Sequence, residues 1–202
     1  MIAQGQSGQI TTSDGVAATM RMGQNGDQIA SDLHGAYYEQ TVRGNLYQLQ
    51  GAATTTSAAG NATFTGTGLI NPAGSGYNLV IGRVAIAQAA ALTASTNIGV
   101  MYGPTIAVAT NLLTPANRIA GGKASVAYGT SGGTITALTN FVIFAGSGSG
   151  AMTVPGIIPL AIHDFKGGLV IPPGSMVASY TSAASTTALL FNFEYEEVPI
   201  LR

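Results

Sequence analysis

The sequence predicts an all-β domain, an antiparallel sandwich or barrel, preceded by an extended N-terminal arm. Three observations carry that prediction. From Thr41 onward the chain offers about eight to ten short segments rich in β-branched and aromatic residues, at the spacing of sheet proteins. Gly- and Pro-rich clusters separate them, and such clusters favour sharp reversals because Gly supplies positive φ and Pro fixes φ. No period of about 20–50 residues repeats, which disfavours solenoids and propellers. The arm is assigned to residues 1–40 and the β domain to 41–202.

Residues Met1 to Asp32 are rich in Gln, Gly, Ser, Thr and Asn. So few large apolar groups cannot bury enough surface to fold alone. The segment is either a solvated tail or an arm that orders against a neighbouring subunit. In the second reading Ile10, Val16, Met20, Met22, Ile29 and Leu33 are spaced anchors, with Ile10, Met20, Met22 and Leu33 as the main contacts. Tyr37 and Tyr38 then anchor the point where arm meets domain, since aromatics are favoured at interfaces.

The strands are expected in order. Thr41–Gln50 alternates partly, through Val42, Leu46, Tyr47 and Leu49, and Ala62–Ile70 sets Phe64 and Leu69 among threonines. Tyr77–Gln88 is the clearest: Leu79, Ile81 and Arg83 alternate with Val80, Gly82 and Val84, and Val84 and Ile86 continue one face. Ala85–Ala94 has helical propensity but flows from that strand and is read as its continuation. Asn97–Tyr102, Thr105–Thr110, Ala124–Tyr128, a long Gly133–Phe144, Gly168–Ile171, Met176–Tyr180 and Thr187–Tyr195 complete the set. Turns are expected at Asn71–Gly76, Gly121-Gly122, Ser131–Gly133, Gly146–Gly150 and Pro172–Ser175.

Composition bears on function. Charged residues make up 7% of the 202, against about 25% in an ordinary soluble domain. Such a surface is poorly kept apart from its neighbours by charge, which points to an assembly component covered by other protein. The net charge is −1 and the seven Lys and Arg are scattered, so a nucleic-acid partner is not expected. No apolar stretch of about 18 residues is present, so no membrane span is expected, and the first residues lack the pattern of a signal peptide. There is no Cys, which removes disulfides and thiolate metal sites.

Catalytic patterns are weak. Gly129-Thr130-Ser131-Gly132-Gly133 matches the G-x-S-x-G nucleophile elbow, but a β-branched segment follows it instead of a helix. A turn is the better reading. Gly146–Gly150 lacks the Lys of a phosphate loop. His34 and His163 are too few for a histidine-based metal site. No cofactor, no metal and no enzymatic activity are expected. Glu194, Glu196 and Glu197 form the acidic cluster; on a strand Glu194 and Glu196 share a face. They are read as a solvated edge or as an ion-pair patch for a neighbour's Arg43 or Arg118. Tyr102, Tyr128 and Tyr180 are the candidates for lining a receptor site.

Two segments resemble a recurring pattern in tailed-phage virion proteins. One is Leu69–Ile81, strand, Asn-Pro-Ala-Gly-Ser-Gly turn and strand; the other is Gly168–Val177, where Pro-Pro-Gly-Ser precedes a late strand. The resemblance is to small jelly-roll capsid cement or decoration proteins. It implies an antiparallel jelly-roll sandwich, assembled with itself as a homotrimer on the outer surface of the capsid, where it stabilises the major capsid protein lattice. The alternative is a tail or fibre component that recognises a host receptor.

Overall fold

The computed structural model describes residues 37–51, 64–88, 92, 94–104, 112–135, 138–147, 158–183 and 189–200. The chain divides into two units, Met1–Tyr38 and Glu39–Arg202. Of the first, only Tyr37 and Tyr38 are described; Ile10, Met20, Met22 and Leu33 lie outside the described residues, as does the expected strand Thr105–Thr110.

The second unit is an all-β sandwich of two antiparallel sheets. Its strands are β1 (Leu46–Gln50), β2 (Phe64–Asn71), β3 (Tyr77–Gln88), β4 (Thr96–Pro104), β5 (Leu112–Leu113), β6 (Ala116–Asn117), β7 (Tyr128–Ile135), β8 (Asn140–Ser147), β9 (Ile158–Ile171), β10 (Ser175–Thr181) and β11 (Leu189–Pro199). One sheet has the order β6-β1-β11-β3-β9, the other β5-β7-β2-β10-β4-β8. A simple rule generates most of this. The chain forms a long ribbon in which β4 pairs β8, β3 pairs β9, β2 pairs β10 and β1 pairs β11. The ribbon is then rolled, so that β10 also meets β4 and β11 also meets β3. The insertion between β4 and β8 supplies β5, β6 and β7, which extend the β1 and β2 edges.

The core follows from the pleat. On β11, Leu189, Phe191, Phe193 and Tyr195 are all buried at every second position and face the other sheet. On β3 the inward set is Leu79, Ile81, Val84 and Ile86, which breaks period two. A bulge at Gly82 resolves this: Ile81 opposes Tyr195 and Arg83 opposes Glu194, so one extra residue resets the phase. The bulge thus sets Val84 and Ile86 on the face of Leu79 and Ile81, where uninterrupted alternation would set them with Val80 and Gly82.

Four expectations need correction. Thr41 and Val42 do not begin a strand; Tyr38–Val42 is one short helical turn, α1, closed by the Arg43 N–H on the Glu39 carbonyl (2.9 Å). Ala124–Ala127 is not strand: the Val126 N–H goes to Glu197 and the Ala127 N–H to Ser125 Oγ instead of to a neighbouring strand. Gly133–Phe144 is two strands, since β7 and β8 sit near opposite ends of one sheet. Leu138, between them, is buried on that sheet's outer face with Ile70, Met101, Ile135, Met176, Ala178 and Tyr180, a second apolar cluster. Finally, Gly129–Gly133 is not a turn but the middle of β7. Its glycine has a packing reason: a Cβ on Gly129 would run into the Leu49 side chain of the facing sheet.

The two turns that carry the family resemblance are real and they meet. Asn71, fully buried, donates from Nδ2 to the Tyr77 carbonyl (2.8 Å) and the Ile171 carbonyl (2.9 Å). Its Oδ1 accepts from Ser75 Oγ (2.7 Å), and its own carbonyl accepts from the Gly174 N–H (2.9 Å). One side chain thus ties the Asn71–Gly76 reversal to the Pro172–Ser175 reversal across the two sheets.

Candidate interaction face on the five-stranded sheet

The three C-terminal glutamates occupy three different environments. Glu194 and Glu196 lie on the outer face of β11, as alternation predicts, while Glu197 points inward. Glu197 is 1% exposed and its Oε1 accepts from Ser125 Oγ (2.6 Å) and the Val126 N–H (2.8 Å). Ser125 has one proton and gives it to Glu197, so Tyr195 Oη, 2.7 Å away, is the donor to Ser125 Oγ. Tyr47 stacks on Tyr195 with ring centroids 5.7 Å apart. Its buried hydroxyl lies near Glu197 and Asn117 without a hydrogen bond of good geometry. Burial, with the Glu197 carboxylate nearby, pushes the Tyr47 hydroxyl up to about 12. Burial raises Tyr195 further. Glu197 therefore works as an anchor for the 123–127 segment.

Glu194 has two partners, Arg83 (2.8 Å) and Arg118 (2.9 Å), both on Oε2. These arginines belong to the same chain. The expected partner was a neighbour's Arg43 or Arg118, whereas Arg83 and Arg118 of the same chain hold Glu194 here. Arg118 also donates to Gln48 Oε1 (2.6 Å). The strand register aligns Gln48, Glu194, Arg83 and Asp164 in one row across β1, β11, β3 and β9. A chain with so few charges has gathered five polar or charged groups into one line, Arg118 included. Glu196, one row away, is half-buried; desolvation raises its carboxyl above the usual range and the Arg43 charge partly offsets this.

Beside that row the face turns apolar. Ala85 is small, and it leaves a depression of about 250 Å3 bounded by Arg83, Arg118, Ile162, Asn192 and Glu194. A second depression of about 270 Å3 adjoins it, lined by Gln50, Ala87, Leu190 and Asn192 among others. Ile162 stands 66% exposed on the wall shared by both. The arrangement is a shallow groove with an apolar length and a charged end.

The remaining candidates are placed as follows. Tyr38 is 46% exposed and Tyr37 half-buried, at the end of the first unit. Tyr180 is buried in the second apolar cluster, Tyr128 packs against that cluster, and Tyr102 packs against the main core. The three tyrosines do not converge on one exposed site. His163 fills space between aromatic rings, stacked on Phe144 (4.7 Å) and edge-on to Phe165 (4.5 Å). Among the described residues no group of three or more His, Asp or Glu could hold a metal. Sequence reasoning missed Arg83 and the exposed Ile162, Phe141 and Ile143. The last two sit in the run Phe141–Ala145, whose large apolar side chains on both faces exceed what one core takes up. No protein-family model, no curated protein and no solved structure matches this chain.

Proposed function

We propose that this chain is a virion structural protein, a jelly-roll capsid cement or decoration protein bound to the outside of a phage head, where it ties major capsid subunits together. The rolled-ribbon order supports the jelly-roll reading, because a ribbon closed on itself gives two nested Greek keys. The meeting of the two resembling turns at Asn71 supports the family reading. The observation that carries the function is the outer face of the five-stranded sheet. It exposes Ile162 (66%), Val170 (45%) and Val198 (36%) beside a groove, while Glu194 Oε2 is held by the chain's own arginines. Exposed apolar area of this kind marks protein contacts. Many copies, each binding weakly through such a face, hold a shell firmly.

Immunogold labelling of intact particles with antibody against residues 41–202 tests this. Label distributed over the head supports it. Label confined to the tail tip overturns it in favour of a receptor-binding tail component.

A further inference from the structure

The sandwich has four strand edges, and they are not treated alike. An edge strand exposes unpaired N–H and C=O groups, which template pairing with another strand unless blunted. β5 and β6 are two residues each, too short to act as templates. β9 is blunted by shape and charge. Ile81 pairs Leu169 and Arg83 pairs Asp164, so residues 165–168 are extruded against a single residue of β3. Lys166 (φ 50) and Gly167 (φ 77) form that bulge, and Asp164 Oδ1 accepts the Lys166 N–H (2.8 Å).

β8 has neither device over its first half. Asn140–Ser147 contains no charge and no proline. Asn140–Ile143 pairs regularly with Gly99–Tyr102 on one side, and the bulge comes only after Ile143. Among the described residues no strand pairs with the other side. Phe141 (51% exposed) and Ile143 (44% exposed) project from the outer face. Phe141 is already fixed, stacked on Tyr180 with centroids 5.6 Å apart, so little freedom is lost when a partner covers it.

We infer that β8 is a self-association edge, where a second copy of this chain adds its own β8 antiparallel and continues the six-stranded sheet. The strand is complementary to itself. A two-fold axis at Val142 sets Phe141 of each copy opposite Ile143 of the other, two aromatic–β-branched pairs on one face. That register also keeps outward side chains on a common face of the joined sheet. With no charge on either strand, nothing repels. The resemblance noted above implies a three-fold assembly; this edge makes a two-fold one.

Sedimentation of the full chain decides it, over a concentration series reaching about 100 µM because a contact this small lies at the weak end of interfaces. The native chain is expected to form a dimer. Ile143→Lys, an exposed substitution checked for an unchanged circular dichroism spectrum, is expected to weaken association by about tenfold or more. The chain has no cysteine of its own, which permits a register test. Phe141→Cys and Ile143→Cys chains should crosslink when mixed under mild oxidation, and neither should crosslink alone. A native monomer, a native trimer, a dimer indifferent to Ile143→Lys, or crosslinking of one variant alone would each overturn the inference. Particle labelling reads the proposed function separately.

Discussion

Glu194 and Glu197, three residues apart on β11, point to opposite faces of the same sheet: one closes an ion-pair row outside, the other pins a loop inside. Neighbouring acids in sequence are thus separate groups in space, and their substitutions should behave differently. Replacing Glu194 by Gln removes the carboxylate that Arg83 and Arg118 share. The acid is buried and the arginines partly exposed, so the expected loss is about 1–3 kcal/mol of stability. Denaturant unfolding measures it, and a change below experimental error would show that the row contributes nothing.

Asn71→Ala removes three side-chain hydrogen bonds and strands the buried Ile171 carbonyl, while the part-buried Tyr77 carbonyl keeps Ser75 Oγ (3.2 Å). The expected cost is about 2–4 kcal/mol. Asn71→Asp is expected to be as damaging, because it replaces the Nδ2 donor with an acceptor. Thermal melts of both variants check this.

Alkaline titration should unfold the domain through its buried tyrosines. The folded-state pKa of Tyr47 is raised to about 12, so the unfolded chain loses its phenol proton first. Stability is intact below the ordinary tyrosine pKa of about 10 and falls as pH climbs from there toward the folded value. Tyr47→Phe should flatten that fall and leave neutral-pH stability within about 1 kcal/mol, since its hydroxyl makes no good hydrogen bond. Tyr195→Phe should weaken the fold at neutral pH, because it removes the hydrogen bond to Ser125. Melting temperatures across pH 8 to about 12 separate the two.

Glu196 gives the opposite end of the pH scale. Its raised carboxyl pKa means that folding takes up a proton, so stability declines as pH rises through the carboxylate range. Glu196→Gln should remove that decline, matching the parent at low pH and exceeding it near neutrality. A parallel offset at all pH values would contradict the assignment.

Gly99→Ala should open the β4–β8 pair. A Cβ there would strike the Val142 carbonyl oxygen, which approaches because of the bulge past Ile143. Backbone cannot yield as a side-chain tip can, so a loss of about 2 kcal/mol or more is expected. Faster amide exchange along β4 and β8 would localise it.

The strands were largely legible because one face of each is buried. β3 was read from Tyr77 to Gln88, its bounds in the fold, since Leu79, Ile81, Val84 and Ile86 are apolar wherever the chain faces the core. β7 was not legible: its glycines look like turn residues, and the Leu49 side chain that faces Gly129 belongs to the other sheet. The interaction face was half legible. The glutamates stood out by type, whereas Arg83 and Arg118 come together only through the pairing of β3 with β11 and β6 with β1. Ile162 was illegible because exposure depends on which face β9 turns outward, and no residue on β9 announces that.

The rolled ribbon also sets the order in which the domain can become itself. β11, made last of the strands, is the one that lies between β1 and β3 in the finished sheet. Until residues 189–199 leave the ribosome, β1 and β3 have no partner between them and Glu194 cannot meet its arginines. Pairings this distant in sequence close slowly, in milliseconds to seconds. Until then the nascent chain carries one edge of β1 and one edge of β3 unmatched and open to capture by neighbours, and its yield in a cell should depend on chaperones and temperature more than its finished stability would suggest.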